Sequence, residues 1–178
     1  MDTPLEMAQI TNVVTYAELN CTFNLNELAG TLSNAIYNPH KFHGLIWRHR
    51  RIQGSCLIFN NGNMVGNGTT SWAEAKSSVR RYARILQKLG YMIHLTRIQL
   101  TTMSAVYKFS TTVDYRKLLQ YPGMNYEPEL FHAPILKKNN LSFTIFQSGK
   151  VVMTGIRENL NVTVNPTLME LELFISNV

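Results

Sequence analysis

The sequence predicts an α+β fold made of two tandem copies of one unit, and three observations carry that prediction. Tyr37-x-Pro39-x-x-Phe42 recurs as Tyr126-x-Pro128-x-x-Phe131, and Ile58-Phe59-x-x-Gly62-x-x-Val65-x-x-Gly68 recurs as Ile145-Phe146-x-x-Gly149-x-x-Val152-x-x-Gly155, at offsets of 89 and 87 residues in a chain of 178. Self-similarity at half the chain length marks a duplicated unit and implies pseudo-twofold symmetry. Within each copy, short β-rich runs separated by turn residues follow one another as an antiparallel meander. A long amphipathic helix closes the first copy. The copies divide as residues 1–91 and 92–178, and with no Pro/Gly-rich linker between them their strands are expected to join into one sheet.

Each element has a local reason. Residues 8–16 read as a short strand. Asn24 is an N-cap with Glu27 three residues on, opening a helix whose Leu25, Leu28, Ala29 and Leu32 share a face and which should end near Asn34 to Pro39. Gly44 to Trp47, Ser55 to Phe59 and Asn63 to Gly66 then read as strands, with a basic turn between the first two. Asn61-Gly62 predicts a two-residue hairpin turn, because both residue types tolerate positive φ. Ser71 and Glu74 form a capping box for a long helix that Gly90 ends. Val79, Tyr82, Ala83, Leu86 and Leu89 make its apolar stripe, while Lys76, Arg80, Arg84 and Lys88, with Arg81 beside them, make a basic ridge that is either a solvated face or a partner surface. The second copy repeats the pattern with a strand from Met92 to Leu100, a weaker helix around residues 113–119 and a meander from Ile135 to Thr154. Its end differs: Asn161 to Val164 is a β-branched stretch, and Asn165-Pro166 is a fresh helix start.

Composition narrows the function. Seventeen Lys and Arg against eleven Asp and Glu give a net charge of +6, which favours a polyanionic partner such as nucleic acid, although an excess of this size also occurs in proteins that never touch DNA. Cys21 and Cys56 support neither a disulfide scaffold nor a zinc site, so a reducing compartment fits. Met1 to Glu6 lacks the basic and apolar regions of a leader, and no run of apolar residues is long enough to span a bilayer, so neither secretion nor a membrane role is expected. The five histidines lack metal-ligand spacing, and the phosphate-binding loop, the serine elbow and a paired-carboxylate arrangement are all absent. A binding protein without enzymatic activity or cofactor is therefore expected.

The repeated Y-x-P-x-x-F and I-F-x-x-G-x-x-V-x-x-G elements, with Tyr82-Ala83-Arg84-x-x-Gln87-Lys88-Leu89-Gly90 and Tyr126-Glu127-Pro128-Glu129-Leu130-Phe131, resemble the core domain of the TATA-binding protein family over roughly residues 8–160. The resemblance implies a saddle, in which a curved ten-stranded antiparallel sheet carries helices on its convex face. It also implies a transcription initiation factor of the nucleus, or of the site of viral transcription, that binds double-stranded DNA in the minor groove and kinks it at a TATA or A·T-rich site. Phe42 with Phe59 and Phe131 with Phe146 would wedge between base steps. For any single Phe in a strand the core is the ordinary place. Val14, Leu57, Val65 and Val152 match apolar floor contacts, Arg48 and Lys137 match phosphate neighbours, and Asn12 and Thr154 match polar readers of the central base edges.

The chain also departs from the family pattern. Leu100 stands where a second reading asparagine is expected, Thr102 and Thr144 where floor residues are apolar, Asn67 where a threonine reads the floor, and His132 where a proline follows Phe131. These departures imply weaker or altered sequence selectivity. On the outside, Glu127, Glu129 and Leu130 match the surface that receives a factor IIB-like protein. Arg80, Arg84, Lys88 and the basic loop Arg48 to Arg51 are candidates for a factor IIA-like protein or other initiation factors, and a homodimer in the free state stays open. The alternative function is a diverged or viral relative that acts mainly as an interaction platform with weak DNA specificity.

Overall fold

In the computed structural model, which describes residues 8–176, ten strands and five helices follow in the order β1 (Gln9–Glu18), α1 (Leu25–Thr31), β2 (Ala35–Ile36), β3 (Leu45–Trp47), β4 (Ser55–Ile58), β5 (Asn63–Thr69), α2 (Trp72–Lys88), β6 (Arg97–Lys108), α3 (Tyr115–Leu118), β7 (Met124–Asn125), β8 (Ile135–Lys138), β9 (Leu141–Ile145), β10 (Lys150–Ile156), α4 (Leu160–Thr163) and α5 (Asn165–Ser176). The α+β class, the tandem repeat and the ten antiparallel strands are as the sequence predicts. The leader-free reading of Met1 to Glu6 lies outside the described residues. No helix among the described residues is long and apolar enough to cross a membrane. Asn12–Thr101 form one compact unit; Thr102 onward, with the start of β1, form the other.

The first unit orders its strands β2-β3-β4-β5-β1 and the second orders its own β7-β8-β9-β10-β6. Alternation along each strand buries every second side chain: Val13, Thr15 and Ala17 of β1 are buried while Asn12, Val14 and Tyr16 stay half-open. In the first unit Leu28, Leu45, Trp47, Ile58, Met64, Tyr82 and Leu86 are essentially closed to solvent, each burial contributing about 1.5–3 kcal/mol. The same ladder irregularity recurs in both units. Between Val13 and Thr15 the partner on β5 shifts from Thr69 to Gly66, and between Met103 and Ala105 the partner on β10 shifts from Ile156 to Met153. Gly68 at φ +85° and Gly155 at φ +86° supply the extra residue of each bulge, a backbone conformation that suits glycine.

Several local expectations need correction. The Asn61-Gly62 turn is the longer kind: Gly62 N–H donates to Phe59 O, Phe59 N–H donates to Asn63 O, and only Gly62 of the pair has positive φ, the geometry of a type I turn closed by a left-handed residue. A two-residue turn with both central residues at positive φ occurs instead at Asn139-Asn140, between β8 and β9. Helix α1 stops at Thr31, and Ala35–Ile36 turn back as β2 to pair with Trp47 and Ile46. Residues 92–96 are not strand; Ile93 is buried, and His94 and Thr96 N–H donate to Leu19 O and Glu18 O before β6 begins. The β-branched stretch is helical as α4, because Asn159 caps it and Leu160 is buried, and Pro166 lacks the N–H that would continue it into α5. Leu89 stands 43% exposed, being the C-cap residue of α2 and no longer on its buried stripe.

Helix α2 is capped at both ends. Ser71 Oγ accepts from Glu74 N–H at 3.1 Å, while the Glu74 carboxylate accepts from Thr70 N–H at 2.8 Å, one residue before the cap. Tyr91 N–H to Leu86 O and Gly90 N–H to Gln87 O close the other end. Ser71→Ala should lower folding stability by about 1 kcal/mol, read as a lower urea midpoint at unchanged slope.

Candidate nucleic-acid interface

In the first unit, cross-strand partners carry one continuous row over the half-open face: Tyr16 opposite Val65, Val65 opposite Leu57, Leu57 opposite Ile46, Ile46 opposite Ile36. Val14 lies on the same side of β1, two residues from Tyr16. Thus Val14, Leu57 and Val65 share one apolar floor, and Ile46, which sequence reasoning missed, belongs to it. The alternation of β3 was the available signal, since Leu45 and Trp47 are buried and Ile46 between them is not.

Phe42 and Phe59 meet at the end of this floor, with ring centroids 6.0 Å apart and planes at 69°. Phe42 is 39% exposed and Phe59 half-buried, so neither is a core residue. An edge-to-face pair of this kind holds its own orientation. Gly44, also missed from the sequence, makes the pairing possible: a Cβ there would stand 2.6 Å from Phe42 Cε1 and 3.0 Å from Phe59 Cε1.

Beside the floor lies an open cleft of about 290 Å³ lined by Arg48, Gln53, Gly54, Ser55, Asn67 and Gly68. The Asn67 Oδ1 is committed internally, accepting from Ser55 Oγ at 2.6 Å, so that its Nδ2 is the end directed elsewhere. Asn12 Oδ1 accepts from Gly68 N–H at 2.7 Å, which directs the amide so that its Nδ2 is the end left to donate. Helix α2 holds the basic loop from behind: Tyr82 OH donates to Gly54 O and accepts from His49 N–H, and Ser78 Oγ donates to Gln53 O. Burial raises the Tyr82 phenol above its ordinary range, so it remains a neutral strut.

The second unit repeats the plan with different chemistry. Its row runs Val106, Val152, Thr144, Ile135 across β6, β10, β9 and β8, so Thr144 replaces Leu57 and puts a hydroxyl in the floor. The matching cleft, about 470 Å³, is lined by Lys137, Ser142, Thr154 and Gly155 among others, the repeat counterparts of Arg48, Ser55, Asn67 and Gly68. Lys138 also borders it, but its ammonium donates to the Glu170 carboxylate, whereas Lys137 is exposed and forms no ion pair among the described residues. The ladder also revises one correspondence. Val13 faces Thr69 and Met103 faces Ile156, which makes Thr102, not Leu100, the ladder counterpart of Asn12.

The second aromatic pair departs from the expectation. Among the described residues no direct ring contact joins Phe131 and Phe146; His132 stands between them, 4.7 Å from Phe131 and 5.6 Å from Phe146, tilted 46° to each. Phe131 is 41% exposed and Phe146 half-buried. Tyr115 OH anchors this end by donating to Ile145 O at 3.1 Å.

The remaining candidates face outward. Leu130 is 80% exposed on a turn in which Leu130 and Phe131 N–H both donate to Glu127 O, with Glu127 and Glu129 exposed beside it. Arg80, Arg84 and Lys88 are exposed along α2, and Arg84 reaches Gln87 Oε1 at 3.3 Å. No group of three or more His, Cys, Asp or Glu among the described residues is placed to hold a metal ion.

Comparison with known proteins gives a consistent result. The family model described as "Transcription factor TFIID (or TATA-binding protein, TBP)" matches residues 7–89 and 97–164. The chain is 36% identical over 158 residues to the TATA-box-binding protein of Acetabularia peniculus, covering 86% of this chain and 83% of that one. It is also 36% identical over 158 residues to TATA box-binding protein-like 2 of Rattus norvegicus, spanning 86% of this chain but 46% of that relative's length. The solved structure of Methanococcus jannaschii TBP superposes with a TM-score of 0.80 at 27% identity, over 97% of this chain and 99% of that one.

Gly44→Ala should force the Phe42 and Phe59 rings apart at a cost of about 1 kcal/mol. The aromatic proton shifts that report their edge-to-face contact should move, while those of Phe131 and Phe146 stay in place.

Proposed function

The chain belongs to the TATA-binding protein family, and from that premise we propose that it is a nuclear transcription initiation factor that grips duplex DNA through the minor groove and kinks it. The observation that carries this reading is the pair of exposed aromatic clusters, Phe42 with Phe59 and Phe131 with Phe146, each at one end of the short strands whose other end carries a basic cleft. Wedge insertion costs a few kcal/mol of unstacking per step and is offset by the contact that the bent duplex then makes, an exchange general to wedge-inserting minor-groove proteins, this family among them. Val14, Leu57, Val65 and Val152 supply the apolar contact. Arg48 and Lys137 take the phosphates that flank it. Asn12 Nδ2, Asn67 and Thr154 are the polar contributors, and a donating amide suits the acceptor-only edge of A·T pairs.

Kinking also makes discrimination indirect, since pyrimidine–purine steps unstack at least cost. Thr144 in the second floor and Thr102 at the place that Asn12 holds in the first unit favour a preference altered from a strict TATA site. They are also the observations that favour a second reading, an interaction platform of weak DNA specificity. The partner surface is Leu130 with Glu127 and Glu129, fitted to a factor IIB-like protein with an apolar pocket among basic residues; Arg80, Arg84 and Lys88 offer a second surface to acidic initiation factors.

Replacing Phe131 and Phe146 together by Ala should weaken duplex binding about 30-fold or more, from about 1–3 kcal/mol for each of the two rings, and reduce the bend measured by fluorescence transfer between duplex ends. Wild-type affinity in that variant would favour the platform reading. Leu130→Arg should leave duplex affinity unchanged and weaken capture of a factor IIB-like protein about 10-fold or more, as for loss of an anchor residue, measured on the preformed DNA complex.

A further inference from the structure

The two aromatic clusters are not equivalent, and the difference follows from one methyl group. Gly44 leaves room for Phe42 to lie against Phe59; at the repeat-equivalent position stands Ala133, buried and carrying the Cβ that would collide with such a pair. Phe131 and Phe146 are accordingly set apart, and the imidazole of His132 fills the gap with a ring contact to each. His43 occupies the same place in the first unit, directly after Phe42, but the pair there closes without it. The ring contacts of the first cluster are therefore between two phenyl rings alone, whereas those of the second run through a ring with nitrogen in it.

We infer that His132 is a specificity-determining residue of the second cluster, donating an imidazole N–H to a base-edge acceptor at the step that Phe131 and Phe146 open. This rests on the minor-groove reading above. His132 is exposed, so nitrogen is available at its ring edge without breaking a buried contact. Adenine N3 and thymine O2 accept there, whereas a G·C pair puts an amino donor in the same groove and opposes an N–H approaching it. Neutral imidazole always keeps one N–H donor, so the contact does not require a charged ring. The Phe42–Phe59 cluster can select its step by deformability alone. The Phe131–His132–Phe146 cluster adds a hydrogen bond to that selection, so the two ends of one DNA site are read by different rules.

The test is competition binding on a set of duplexes in which the outermost base pair at each end of the site is changed singly from A·T to G·C. Wild-type protein should prefer A·T at one end by about 3- to 10-fold more than at the other, the worth of one net hydrogen bond. His132→Phe keeps a ring in the gap and removes the N–H; it should erase that extra preference while the bend stays. His132→Gln restores a donor and should recover part of it. An undiminished preference in His132→Phe, or no difference between ends in the wild type, would overturn the inference while the minor-groove reading stands. Wild-type affinity after loss of both Phe131 and Phe146 rings would instead remove that reading, and this inference with it.

Discussion

Strand alternation under a one-sided cover of helices is the constraint on which the half-open faces depend. Val13, Ala17, Leu45, Ile58 and Met64 give up essentially all their solvent contact to the helix side. A slip of one residue would bring Asn12, Val14 and Tyr16 inward and turn that core out, so the register is strongly specified. The side chains between the core residues inherit fixed positions without being needed for the core. Ile46, Leu57, Val65 and Tyr16 stand in line for that reason. Because the backbone donors and acceptors of the inner strands are spent in the ladder, a ligand on this face meets side chains alone. Such a surface suits a broad, shallow partner better than it suits catalysis.

Duplication kept the frame and let the contents drift. The bulges at Gly68 and Gly155 and the clefts at Arg48 and Lys137 are features of the frame. Leu57 against Thr144 and Gly44 against Ala133 are contents. The helices diverge further. Helix α2 turns Arg80, Arg84 and Lys88 to solvent, whereas α5 ties its carboxylates down: Glu170 accepts from Lys138 and Tyr121, and Glu172 accepts from Tyr107 and Ser110. The hydrogen bond from Lys138 holds the Glu170 carboxyl below its ordinary range, so it stays ionised in that network.

What could be read from the sequence was what depends on near neighbours. The caps at Asn24 and Ser71, the end of α2 at Gly90 and the restart at Asn165-Pro166 are set by residues within one helical turn of each other, and all are present. The repeat placed Phe42 and Phe59 together because both copies carried the signal. Features set by distant residues were hidden. The type of the Asn61-Gly62 turn is decided with Gly62 pressed against the Cys21 backbone, 41 residues away in sequence. The placement of the His132 ring against both Phe131 and Phe146 is likewise a tertiary feature, which no pattern of aromatic residues announces. The correspondence of Asn12 with Thr102 is a property of the ladder, and counting from aligned motifs lands two residues short of it.

Charge and floor then act at different ranges. The Lys138–Glu170 pair cancels one charge of each sign, so the excess of six positive charges is felt from exposed groups such as Arg48, Lys137, Arg80 and Lys88. That field reaches about 8–10 Å at physiological salt and attracts any polyanion. The floor and the aromatic clusters act only in contact, and on the proposed reading their energy would depend on how much the particular duplex resists being opened. On the proposed reading, attraction without selectivity followed by contact with selectivity would let a modestly basic protein search many sites and hold few. Thr144 in place of Leu57, Val106 in place of Tyr16 and the ring contacts of His132 make the second face chemically unlike the first, although the two arose by repetition.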